Sequence, residues 1–128
     1  DIAANTLQMA LQSSDVTITT GILENSVSGL GSQGYDDPAS WDVSLGSGNG
    51  DIIINASVGW SSGKTLTLSA YRNININEAI NASNNGGLTL TAGTSGSGNI
   101  SATGAVNVGR FELAFPAAPS CERKAALV

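Results

Sequence analysis

A stretch of sequence that returns every 22 residues constrains this chain more than any other feature. Asp51-Ile-Ile-Ile-Asn-Ala-Ser-Val58 falls on Asn73-Ile-Asn-Ile-Asn-Glu-Ala-Ile80, setting Ile52 on Ile74, Ile54 on Ile76, Asn55 on Asn77 and Val58 on Ile80. Thr65-Leu-Thr-Leu-Ser-Ala70 falls on Gly87-Leu-Thr-Leu-Thr-Ala92 at the same offset. A third copy starts at Asn99-Ile-Ser-Ala-Thr-Gly-Ala-Val106, displaced by 26 because Gly93 to Gly98 adds a loop. Upstream, Asp15-Val-Thr-Ile-Thr-Thr20 reads as the second strand of an earlier copy. A repeat of this length is one supersecondary unit that buries its apolar face only against neighbouring copies.

Within each copy apolar residues alternate with Thr, Ser or Asn, the period-two pattern of a strand with one buried face. Equivalent strands recur only after a full repeat and no two-residue hairpin joins equal strands, so the chain should coil. The expected fold is all-β, a right-handed parallel β-helix (solenoid) with coils of 22 residues. Such coils stack about 4.8 Å apart. The expected interior is Val16, Ile18, Ile52, Ile54, Val58, Leu66, Leu68, Ile74, Ile76, Ile80, Leu88, Leu90, Ile100 and Val106. Asn55 above Asn77 should form an amide ladder at a bend. A β-sandwich is the competing architecture, but its strands need not repeat at a fixed offset.

Around the repeat, Ala3 to Ser13 carries Leu7, Met9, Ala10 and Leu11 at helical spacing, and Asn5 is the expected N-cap of a short N-terminal helix lying across the coil axis. The glycine-rich stretch 21–50 is too long for a plain connection and reads as a functional loop or a partly flexible insertion. After Leu113 the pattern fails at Phe115-Pro-Ala-Ala-Pro119, so 1–113 is expected as the β-helix segment and 114–128 as a tail. The tail makes the weaker cap, because Pro116 and Pro119 prevent continuous strand pairing, and self-association end to end is expected there.

Chemistry is limited by what the chain lacks. With no histidine and one cysteine, Cys121, the usual zinc sites, His-based triads and an internal disulfide are excluded; Cys121 reads as an incidental thiol. The net charge is −5, and Lys64, Arg72, Arg110, Arg123 and Lys124 form no stripe, so nucleic acid and anionic membrane surfaces are poor partners. No apolar run approaches the ~20 residues of a membrane span, and an export signal would lie upstream of Asp1. No cofactor is expected.

Four features have the composition of candidate sites. Tyr35, Asp36, Asp37, Trp41 and Asp42 set two aromatics among three carboxylates, the composition of a sugar platform or a hard-cation site, though also of a loop anchored by its aromatics. Thr17, Thr67 and Thr89 should form one outward column and Thr19, Ser69 and Thr91 the next; regularly spaced threonines order water in ice-binding β-helices, yet Thr is also the ordinary solvated strand residue. Gly46-Ser-Gly-Asn-Gly-Asp51 is similar to a calcium-binding nonapeptide but is not repeated in tandem, and reads as a turn into a strand. Asn55, Asn81 and Asn99 open glycosylation sequons, which bend geometry and an Asn-rich repeat explain first. Asp51, Glu78 and Arg72 are scattered along the repeat and supply no positioned acid and base, so the chain is expected not to be an enzyme.

The run Trp60-Ser-Ser-Gly-Lys-Thr-Leu-Thr-Leu-Ser-Ala-Tyr-Arg-Asn-Ile-Asn-Ile-Asn77, with Asp15 to Thr20 and Gly50 to Asn55, resembles the shafts of filamentous-haemagglutinin-like exoproteins of bacterial two-partner secretion. The resemblance covers about Asp1 to Leu113. It implies a secreted or cell-surface protein used in adhesion, biofilm formation, filament building or delivery of a toxic domain, with a host or cell-surface glycan or protein as receptor. The Asn-Pro-containing secretion motifs of that family are missing, and the 21–50 insertion and Pro/Cys tail depart from it.

Overall fold

The computed structural model describes residues 2–21, 25–30, 42–45, 50–94, 98–114 and 125–126. The chain is all-β with one short helix. In order, the described elements are α1 (Ala4–Leu11), β1 (Val16–Thr20), β2 (Asn25–Ser28), β3 (Val43–Ser44), β4 (Ile52–Ile54), β5 (Val58–Trp60), β6 (Thr65–Ser69), β7 (Ile74–Ile76), β8 (Ile80–Ala82), β9 (Gly87–Thr91), β10 (Ile100–Ala102), β11 (Val106–Asn107), β12 (Arg110–Ala114) and β13 (Ala125–Ala126).

These strands form three sheets, with orders β12-β9-β6-β1-β2, β13-β10-β7-β4-β3 and β11-β8-β5. Strands from successive copies pair in parallel, in the register of the sequence repeat. Leu66 lies opposite Leu88 and Leu68 opposite Leu90. Ile52 lies opposite Ile74, and Val58 opposite Ile80. The third copy keeps register although its offset is 26, for Ile74 faces Ile100. Alternation then decides burial: Leu66, Leu68, Ile74, Ile76 and Leu90 are wholly inaccessible, while Thr67 and Thr89 between them are not buried.

One expected interior residue departs from this. Val106 is only half-buried, because β11 is the last described strand of its sheet and nothing described covers its far side. Conversely, the core takes in Trp60, whose indole nitrogen donates to the Lys64 carbonyl at 2.8 Å and so satisfies the ring's one polar atom.

The N-cap also differs from expectation. Ala3, not Asn5, occupies the cap position (φ −71, ψ 141), and Asn5 lies within the helix with its amide on the Met9 sulfur. The methyl side chain of Ala3 offers no acceptor, and the carboxylate of Asp42 accepts from Ala4 N at 2.8 Å in its place. An acid 38 residues away therefore performs the capping.

The stretch 21–50 is more than loop: β2 pairs antiparallel on β1, and β3 pairs antiparallel on β4. Helix α1 packs on β5, where Gln8 Oε1 accepts from Gly59 N at 2.9 Å, Gln12 Oε1 accepts from Ser61 N at 3.3 Å, and Ser62 Oγ donates to the Leu11 carbonyl. The earliest repeat strand of each sheet is thus covered, by β2, β3 and α1. Strand also extends past Leu113, through Ala114 in β12, and returns at β13 within the expected tail. No described helix is long and apolar enough to cross a membrane.

Candidate functional site

Outward-facing groups of the first sheet line up as rows across successive copies. Thr17, Thr67 and Thr89 are register partners, as are Thr19, Ser69 and Thr91, and all six are half-buried. The first row ends at Ser28 on β2 and Glu112 on β12; the second ends at Ser26 and Ala114. Beside Glu112 is an open cleft of about 390 Å³, lined by Thr65, Gly87, Thr89 and Arg110 among others. Arg110 Nη2 donates to the Gly63 carbonyl at 2.8 Å and to Thr65 Oγ1 at 3.0 Å, and its Nε donates to the Asn85 carbonyl at 2.9 Å. The guanidinium spans two earlier copies, and Gly87 leaves the room for it: a Cβ there would lie 3.1 Å from Arg110 Nη2.

A second set of rows joins copies through side-chain amides and carboxylates. Before β4 and β7 stands an Asx residue whose oxygen accepts from the backbone of the next copy: Asp51 Oδ1 from Asn73 N at 3.0 Å, and Asn73 Oδ1 from Asn99 N at 2.9 Å. Asn77 Nδ2 donates to Asn55 Oδ1 at 3.1 Å, the expected ladder, and Asn107 Nδ2 donates to Asn81 Oδ1 at 3.0 Å in a further one. Two sequon asparagines, Asn55 and Asn81, therefore use their carboxamides to join copies. Asp15 Oδ1 likewise accepts from Thr65 N at 2.8 Å.

Asp51 also pairs with Arg72, through Arg72 Nε to Oδ1 at 3.0 Å and Nη2 to Oδ2 at 2.7 Å. Hydrogen bonding from Arg72 holds the Asp51 carboxyl below the usual carboxylate range, helped by Asn73 N–H and by the Arg72 charge and opposed by burial. A depressed folded pKa adds stability above the unfolded value, and that stability is lost as pH falls below about 4 toward the folded value. Asp51→Asn should keep the acceptor for Asn73 N–H, as Asn73 itself accepts from Asn99 N, and lose only the Arg72 pair. Asp51→Ala should cost about 1–3 kcal/mol by orphaning Asn73 N–H. In urea melts the Asn variant should be the more stable of the two and show a shallower loss below pH 4 than wild type; equal midpoints would contradict this reading.

Of the aromatic–acidic group, Tyr35, Asp36, Asp37 and Trp41 lie outside the described residues, and Asp42 is placed at the start of α1 as the cap. Residues 46–49 of the glycine-rich turn and Cys121 also lie outside them; Gly50 and Asp51 form the turn into β4. Among the described residues no three of His, Cys, Asp and Glu gather to hold a metal ion. The sequence reading missed the Arg110 clamp, although a signal exists: Phe111 and Leu113 repeat the alternation of Leu88 and Leu90 at an offset of 23. No protein-family model, curated protein or solved structure matches the chain.

Proposed function

We propose that the chain is a right-handed parallel β-helix segment with a structural or adhesive role in a secreted or surface-exposed bacterial protein, like the shafts its repeat resembles. The observation that carries this reading is the use made of polar groups: Asp15, Asp51, Asn55, Asn73, Asn81 and Arg110 each reach an equivalent or adjacent group of another copy. Groups that join copies lengthwise suit a spacer. Parallel pairing of the successive copies, β4 with β7 and β10, β5 with β8 and β11, and β6 with β9 and β12, supports a coiled path, while β2 and β3 pair antiparallel beside them.

Incubation with acidic or neutral polysaccharides, with and without calcium, should give no shortening of the polymer by size-exclusion chromatography. Binding without cleavage fits an adhesive segment. Turnover abolished by Asp36→Asn or Asp37→Asn would instead establish a carbohydrate-acting β-helix. One geometric observation favours another reading, ice binding, since Thr17, Thr67 and Thr89 are in register on one face. Thermal hysteresis lost in Thr67→Val would select that function; its absence leaves the rows as the solvated side of a shaft.

A further inference from the structure

At the last described strand of the first sheet the apolar column does not close. Phe111 lies opposite Leu88 and Leu113 opposite Leu90, so both continue the inward face of β9, yet they are 40% and 36% exposed while Leu88 and Leu90 are 1% and 0%. The opposite end of that sheet differs: β2 covers β1, its Asn25, Ser26 and Ser28 are polar, and Leu30 beyond it is buried. Within this sheet apolar exposure is therefore concentrated at β12, the other exposed large apolar side chain among the described residues being Met9 on α1.

The backbone of β12 is polarised in the same sense. Arg110 N donates to the Gly86 carbonyl at 3.1 Å, and the Ala114 carbonyl accepts from Ala92 N at 3.2 Å, so Arg110 and Ala114 direct their main-chain groups toward β9. Alternate residues of a strand direct theirs to the other side. The N–H and C=O of Phe111 and Leu113 therefore point to the edge that no described strand covers, where a further strand would take them up.

We propose that this edge joins a second copy of the chain, β12 against β12 in antiparallel register about a two-fold axis at Phe111. The occupant is argued from charge. Arg110 and Glu112 flank Phe111 on the outward face, so antiparallel pairing centred there sets position 110 of each copy opposite Glu112 of the other and opposes their charges while the Arg110 guanidinium keeps its bonds to Gly63, Thr65 and Asn85. The same axis lets the two Phe111 residues exchange both main-chain hydrogen bonds, a closely spaced ladder pair. Centring on Leu113 would instead oppose Glu112 to Ala114 and pair no charges. The interface is isologous and consumes the open edge of both copies, so assembly stops at two. End-to-end association then takes the form of a closed pair, because the covered strands β1, β4 and β5 lie at the far side.

Sedimentation equilibrium of the full chain across a concentration series should fit a monomer–dimer scheme, with the dimer weakened by added salt. Glu112→Arg sets like charges opposite each other twice and should weaken the dimer about tenfold or more, with circular dichroism unchanged because Glu112 is exposed. Should that variant not fold, Glu112→Gln should weaken it to a smaller degree. A monomer up to near-millimolar concentration, a mass that grows without limit, or a dimer indifferent to both substitutions would overturn the proposal.

Discussion

Leu68→Ala should destabilise the protein by about 2–5 kcal/mol, and Leu90→Ala by a similar amount. Both side chains are wholly inaccessible and face each other across the β6–β9 pair. Removing either leaves a void that its neighbours cannot fill, since strand spacing is fixed by the main-chain ladder on both sides. Thr89→Ala, one residue away on the outward face, should change stability by less than about 0.5 kcal/mol. Chemical denaturation of the three variants is the check. A costly Thr89→Ala beside a mild Leu90→Ala would mean that the strands face the other way.

Gly50→Ala should be comparably severe, at about 2–5 kcal/mol. Gly50 has φ +79, a left-handed conformation that costs an ordinary residue roughly 1–2 kcal/mol. An added Cβ would also lie 2.6 Å from Tyr71 Cβ, an overlap worth about 1–3 kcal/mol more. Moving the backbone aside is not a cheap escape, because the Gly50 carbonyl accepts from Thr20 Oγ1 at 2.7 Å and from Arg72 N at 2.9 Å. Thermal unfolding of Gly50→Ala within about 3 °C of wild type would show that the turn relaxes freely.

The parts of the fold legible in the sequence are those governed by two periods. Alternation told Leu66 from Thr67, and the 22-residue offset told that Leu66 meets Leu88, because a slip by one residue would turn every apolar side chain to water. What was not legible depends on partners distant in sequence. The cap of α1 comes from Asp42, and nothing near Asn5 announces that. Strands β2 and β3 are four and two residues long, without strong alternation, and take their conformation from the edges they complete. Strand β12 fell within the expected β-helix segment, but Phe111 and Leu113 were not among its expected interior residues, because Arg110 stands opposite Gly87 and Glu112 opposite Thr89 and so the alternation is less plain. Of the candidate site, the threonine rows followed from the repeat, while the Arg110 clamp needed the conjunction of Gly87, Thr65 and Gly63 in space.

Between Ile76 and Ile100 the chain spends extra residues on the connection containing Gly93 and Gly98, yet Ile100 still meets Ile74 and Asn99 still donates to Asn73. Alignment of β7 and β10 is set where each begins, by an Asx oxygen that accepts the main-chain N–H of the next copy, and not by the number of residues in between. A connection at this corner is thus free to change length, since loop closure adds only about 0.6 kcal/mol per doubling. Evolution, or an engineer, can hang a recognition peptide at residues 94–97 and leave the scaffold's alignment untouched.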